Sequence, residues 1–123
     1  MASINYKEIP EFTKAFKKLK KRFSSLSDDL EVAKLAAIAL YHVHHIDNNA
    51  VVEIPTLKHS DLKVLKLKKF ACKSLKGKGV QSGIRIIYAF NDKKNDLLFL
   101  DIYYKGDRES ENRRYLKSLL KTI

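Results

Sequence analysis

The chain has 123 residues, and 25 Lys and Arg against 14 Asp and Glu leave a formal charge of +11. Hydrophobic residues make up 45% and charged residues 32%, which excludes global disorder and suits one domain spanning residues 1–123. The surplus of positive charge favours phosphate backbones, an anionic membrane or an acidic partner, while a lone cysteine, Cys72, excludes an internal disulfide and a cysteine-based zinc site and points to a reducing compartment.

The opening residues Met1-Ala2-Ser3-Ile4-Asn5-Tyr6-Lys7 form no apolar leader, and no run approaches the ~18 apolar residues of a membrane span, so a cytoplasmic protein that meets no membrane is expected. Ile4 to Ile9 alternate and stop at Pro10, which predicts a short first strand. Phe12, Phe16, Leu19 and Phe23 then share one helical stripe, opposite a face of Lys14, Lys17, Lys18, Lys20, Lys21 and Arg22. Ser24 to Ser27 break that helix, and Ser27 followed by Asp28, Asp29 and Glu31 starts a second. From Leu30 to Val43 this second helix is apolar on nearly every side and is predicted to be the most buried one. Asp47-Asn48-Asn49 ends it.

The stretch from Ala50 to Asp61, with Pro55, reads as irregular or as an edge segment. Leu65 and Leu67 alternate with Lys66 and Lys68 and lead into Phe70, Ala71 and Cys72, which predicts a strand, although Leu62 and Leu65 also fit a helix. Gly77, Gly79 and Gly83 mark a turn. Ile84 to Phe90 and Leu97 to Tyr104 flank Asn91 to Asp96 as a hairpin, and a last helix over Ser110 to Leu120 buries Tyr115, Leu116, Leu119 and Leu120. The order β-α-α-β-β-β-α describes an α+β fold with a mostly antiparallel sheet, two N-terminal helices on one face and a C-terminal helix. Grouping the helices on one face would leave the other open to a ligand.

The run Lys68 to Tyr88, above all Ser82-Gly83-Ile84-Arg85-Ile86-Ile87-Tyr88, resembles the core of the RelE/ParE toxin superfamily, with Tyr103-Tyr104-Lys105-Gly106-Asp107-Arg108-Glu109 following as the end of an apolar strand. The resemblance implies a RelE-like toxin of a type II toxin-antitoxin system. Such a protein is a metal-independent endoribonuclease that cuts messenger RNA on the ribosome and is held inactive by a cognate antitoxin. It also implies that Arg85 binds the phosphate, that cationic residues ahead of the glycine turn orient or activate the 2′-hydroxyl, and that Arg108 is the second arginine of the family. Some relatives place a histidine near the end of the last strand; this chain has none there, which favours a lysine mechanism.

Metal-free cleavage of RNA needs the 2′-hydroxyl deprotonated, the phosphorane stabilised and the departing 5′-oxygen neutralised, and fixed cations serve the last two needs well. No carboxylate stands between Asp61 and Asp92, where Lys63, Lys66, Lys68, Lys69, Lys73, Lys76, Lys78 and Arg85 crowd together. Together with the resemblance, this assigns Lys73, Lys76, Arg85, Arg108 and Tyr103 to catalysis, and Lys66, Lys68, Lys69, Lys78, Tyr104 and Lys105 to RNA binding, with no cofactor or metal. Each has a plainer alternative: an exposed strand arginine for Arg85, a solvated basic loop for the lysines, and an ion pair with Glu109 or Glu111 for Arg108. Alternation buries Tyr104 and opens Tyr103 for base stacking, unless a bulge swaps them.

His42, His44 and His45 with Asp47 suggest metal ligands, but no fourth ligand follows, so a polar helix end is expected. Cys72, inside a strand pattern, reads as a buried thiol. Two other functions fit the same residues: a ParE-like toxin that binds DNA gyrase, and a non-catalytic RNA- or ribosome-binding module. The lysine cluster with Arg85 argues against the first.

Overall fold

The computed structural model describes residues 3–123. Met1 and Ala2, which open the stretch read as lacking a leader, lie outside the described residues. The elements run β1 (Asn5–Glu8), α1 (Pro10–Arg22), α2 (Leu26–Ala33), a π-helical stretch (Lys34–Ala39), α3 (Leu40–His42), β2 (Val51–Glu53), a 3-10 turn (Pro55–Leu57), β3 (Lys63–Leu67), β4 (Ile84–Asn91), β5 (Asp96–Tyr104) and α4 (Arg113–Leu120). Among the described residues no helix is long and apolar enough to cross a membrane.

The strands form one five-stranded sheet in the order β1-β5-β4-β3-β2. The β1–β5 pair is parallel and the other three pairs are antiparallel, so the α+β reading with a mostly antiparallel sheet agrees with the element types seen. α1 begins on Pro10, where a missing N–H costs nothing, and its last turn carries Lys20, Lys21 and Arg22 against the negative end of the helix dipole.

Each sheet face has its own core. The first face packs Leu65, Leu67, Ile84, Ile86, Tyr88 and Phe99 under Phe12 and Leu19 of α1 and Leu26 and Leu30 of α2. The second packs Val64, Ile87, Ala89, Leu100 and Tyr103 against Leu57 and against Leu116, Leu119 and Leu120 of α4. The helices are thus not all grouped on one face. The apolar stripe of α4 is satisfied on the side opposite α1 and α2, because β4 is apolar on both faces and needs cover on each.

Two further expectations are corrected. The Ala50 to Asp61 stretch, read as irregular or as an edge segment, holds the short edge strand β2, so the expected element order gains a strand. The helical run after Leu26 holds more buried residues than any other helix among the described residues, as expected, but it is not covered all round: Val32 is 53% and Leu35 76% exposed. A segment apolar on every side has more apolar surface than one sheet face can cover. The strand over Leu62 to Cys72 stops at Leu67, beyond which residues 68–83 form a loop laid against α2, with Phe70 and Cys72 buried in the first core.

The tyrosines are exchanged. Ile87 pairs with Asp101 while the next residue, Tyr88, pairs with Phe99, so Leu100 is an extra residue in β5. Leu98 and Leu100 lie on the second face, and beyond the bulge so do Asp101 and Tyr103. Tyr103 is therefore buried, at 5% exposure, and Tyr104 is the half-exposed ring, packed edge-on against Phe23 at 5.1 Å on the first face.

Candidate nucleic-acid interface on the second sheet face

Arg85 and Tyr103 face each other across β4 and β5, and Lys66, beside Ile87, lies on the same face of β3. Gly83 sets the start of β4. Its φ of +87° is one that side-chain-bearing residues rarely adopt, and a Cβ there would press on the Tyr104 ring at 3.3 Å. One Nη of Arg85 donates to the carbonyl oxygens of Lys68 (2.7 Å) and Ile84 (3.4 Å), which anchors the guanidinium half-buried with its remaining donors uncommitted. Among the described residues no carboxylate forms an ion pair with it.

The neighbouring cations are held by acids from later in the chain. The turn after β5 folds Arg108 back onto Asp101, at 2.8 Å, with its guanidinium 4.3 Å from the centre of the Tyr103 ring. Glu111, in the segment ahead of α4, accepts from Lys66 at 2.8 Å and lies 4.0 Å from Arg113. Both carboxylates are nearly covered, with side chains 9% and 7% exposed, so each needs its partner to offset the loss of water. Burial pushes the Asp101 carboxyl up from its ordinary value even though Arg108 pulls it down. Burial also raises the Tyr103 phenol, helped by Glu111 and opposed by Arg108 and Arg85, so the ring keeps its proton and can donate it.

The second face thus brings together Lys66, Arg85, Tyr103 and Arg108 of the predicted residues and adds Asp101 and Glu111. A patch of this kind can hold a phosphate through guanidinium and ammonium donors and offers a carboxylate at its edge. The two acids carried a signal in the sequence: Asp101 interrupts an apolar strand run, and Glu111 stands just ahead of a helix start. The Arg108 ion pair is with Asp101 rather than with Glu109 or Glu111.

Other predicted residues lie elsewhere. Lys73, whose N–H donates to Asp29 of α2 at 3.3 Å, and Lys76 and Lys78 are exposed on the 68–83 loop, whose Cys72 and Leu75 pack into the first core. Lys69 lines a cleft with α2 on that side, whereas Lys68 meets the site through its carbonyl, and Lys105 is exposed in the turn after β5. Tyr104 belongs to the first face, with Arg22 stacked 5.4 Å from its centre.

His42 is not part of a polar helix end. Its ring stacks on Phe90 with centroids 3.9 Å apart, and Nε2 is 2.8 Å from the Tyr88 hydroxyl. Burial is the main cause, with Lys63 adding, that lowers its pKa to about 4, so it is neutral at physiological pH. Among the described residues no group of three or more His, Cys, Asp or Glu side chains is arranged to hold a metal. Cys72 is buried.

No protein-family model matches the chain, and no curated protein does. Among solved structures it is similar to a chain in the crystal structure of an archaeal RelE-RelB complex from Pyrococcus horikoshii OT3, at 15% identity over 85% of this chain and 98% of that one, with a TM-score of 0.49. Similarity at that level assigns no family and no function.

Proposed function

We propose that this chain is a single RelE-like toxin domain: a ribosome-dependent, metal-independent endoribonuclease that cuts messenger RNA in the cytoplasm and is held by a cognate antitoxin. The observation that carries the reading is Arg85, anchored by main-chain carbonyls, free of any carboxylate among the described residues and flanked by Lys66, Arg108 and Tyr103. The Ser82 to Tyr88 run, by its resemblance to that superfamily, supports it further.

In this reading the uncommitted donors of Arg85 bind the scissile phosphate and stabilise the phosphorane as negative charge builds on it. Arg108, steadied by Asp101 and the Tyr103 ring, neutralises the departing 5′-oxygen; a guanidinium gives up a proton too reluctantly to do more. Lys66, hydrogen-bonded to Glu111, acts as a fixed positive charge beside the phosphate. The base is then Glu111 rather than one of the loop lysines, and it takes the proton of the 2′-hydroxyl.

Induced expression should halt growth and leave cuts inside translated messages, and Arg85→Ala should relieve both. Uncut messages beside persistent growth arrest would overturn the reading. A second reading, a non-catalytic RNA- or ribosome-binding module, is favoured by Lys66 and Arg108 being already paired with carboxylates. It predicts RNA binding that collapses with rising salt and no cleavage.

A further inference from the structure

β1 pairs with β5 only as far as Phe99, so among the described residues one edge of β5 has no partner strand from Leu100 to Tyr104. The second half of α1 lies along that edge, with a cleft of about 180 Å³ between the two. Lys18 and Arg22 of α1 line it, together with Asp107 and Arg108 of the turn after β5. A spacing of four residues sets Lys18 and Arg22 on one helix face, about 6 Å apart along the axis.

Two of these cations are held in advance. The Arg22 guanidinium stands 5.4 Å from the centre of the Tyr104 ring and that of Arg108 4.3 Å from the centre of the Tyr103 ring. One Nη of each donates to a carboxylate, Asp107 for Arg22 and Asp101 for Arg108, and among the described residues their other N–H groups make no hydrogen bond. Lys18 is exposed and forms no ion pair among those residues. The cleft therefore sets three cations against the single carboxylate of Asp107, and an anion entering it meets donors whose orientation is already fixed. Because the two tyrosines carry arginines rather than standing free for a base, the place suits a phosphate and reads no sequence.

We propose that this cleft holds the RNA phosphate next to the scissile one on its 3′ side, with Lys18 and Arg22 as positioning residues for cleavage. The inference rests on the reading of the Arg85 cluster as the cutting site. Arg108 belongs to both places: it lines the cleft, and it lies over Tyr103, which faces Arg85 across β4 and β5. In that reading Arg108 neutralises the departing 5′-oxygen, which belongs to the downstream nucleotide, so the strand beyond it runs toward the cleft. An acidic protein segment would meet the same charges, but a continuous row of phosphates is what links the cleft to Arg85.

The first measurement is the salt dependence of binding to a single-stranded RNA of about 12 nucleotides, made uncleavable by 2′-O-methylation. Lys18→Ala and Arg85→Ala should each reduce the slope of log affinity against log salt by about 0.7, and the double variant by about 1.4. Lys20→Ala, which removes the same charge outside the cleft, should leave the slope unchanged. The second measurement is cleavage on programmed ribosomes. Lys18→Ala should raise the protein concentration for half-maximal rate several-fold and leave the rate at saturation unchanged, since Lys18 touches no reacting atom. On a message that ends with the nucleotide directly 3′ of the cut, and so lacks the next phosphate, Lys18→Ala and wild type should coincide. An unchanged slope for Lys18→Ala, an equal loss for Lys20→Ala, or a Lys18→Ala defect that persists on the shortened message would overturn the proposal. So would a polyglutamate peptide that binds through Lys18 when RNA does not. If wild type cuts neither message, the reading of the Arg85 cluster falls and takes the positioning role with it, while the slopes still show whether the cleft binds RNA.

Discussion

Arg85 owes its orientation to the backbone: hydrogen bonds to two carbonyl oxygens hold its fork, and a lysine could not reproduce that planar geometry. Arg85→Lys should therefore keep most RNA binding while cleavage falls by about 10²-fold, in the range seen when one preorganised donor is removed. Glu111→Gln separates base from scaffold, since the amide oxygen can still accept from Lys66. Cleavage should fall by about 10²-fold or more, whereas a carboxylate that only positions Lys66 would leave it nearly unchanged, because the amide keeps that hydrogen bond. His42 predicts a pH dependence. Its folded value of about 4 lies below the ordinary 6.5, so between the two the unfolded chain holds more protons. The stability it contributes is present above that window and is lost as pH falls through it. Melting temperature should drop on acidification from neutral pH toward about 4, and His42→Gln should flatten the drop.

At the scale of elements, the second-face site is assembled by one irregularity and one short helix. The bulge at Leu100 turns Asp101 and Tyr103 to the side of Arg85; without it Tyr104 would stand there instead. α4 has eight residues, too few to be stable alone, and depends on Leu116, Leu119 and Leu120 packing under Ile87 and Leu100. Asn112 caps it by accepting from the Tyr115 N–H at 3.0 Å, directly beside Glu111. Asn112→Ala should cost about 1 kcal/mol in denaturant unfolding. It should also raise hydrogen exchange in the first turn of α4 and, through Glu111, lower cleavage. Hairpin and helix boundaries agree with the sequence to within a few residues because their periodicities are local. The β2 strand escaped that reading, since three residues beside a proline carry too little pattern.

For the molecule as a whole, the charge of +11 predicts RNA binding that weakens steeply with salt. In a plot of log affinity against log salt on single-stranded RNA, Arg85→Ala should reduce the slope by about 0.7, the share of one phosphate contact.

The sequence by itself determined the number and kind of most elements, the basic surplus and the prominence of Arg85, because hydrophobic period, glycine placement and charge count are properties of short stretches. Only the tertiary structure decided which side chains share a face and which acids meet which cations. The Lys66–Glu111 pair joins residues 45 positions apart, and no pattern along the chain encodes such a meeting. The lysines of residues 68–83 stand close to Arg85 in sequence, yet the packing of Phe70 and Cys72 into the first core carries them toward α2. One extra residue in β5 reverses every side chain after it, since successive strand residues point to opposite faces.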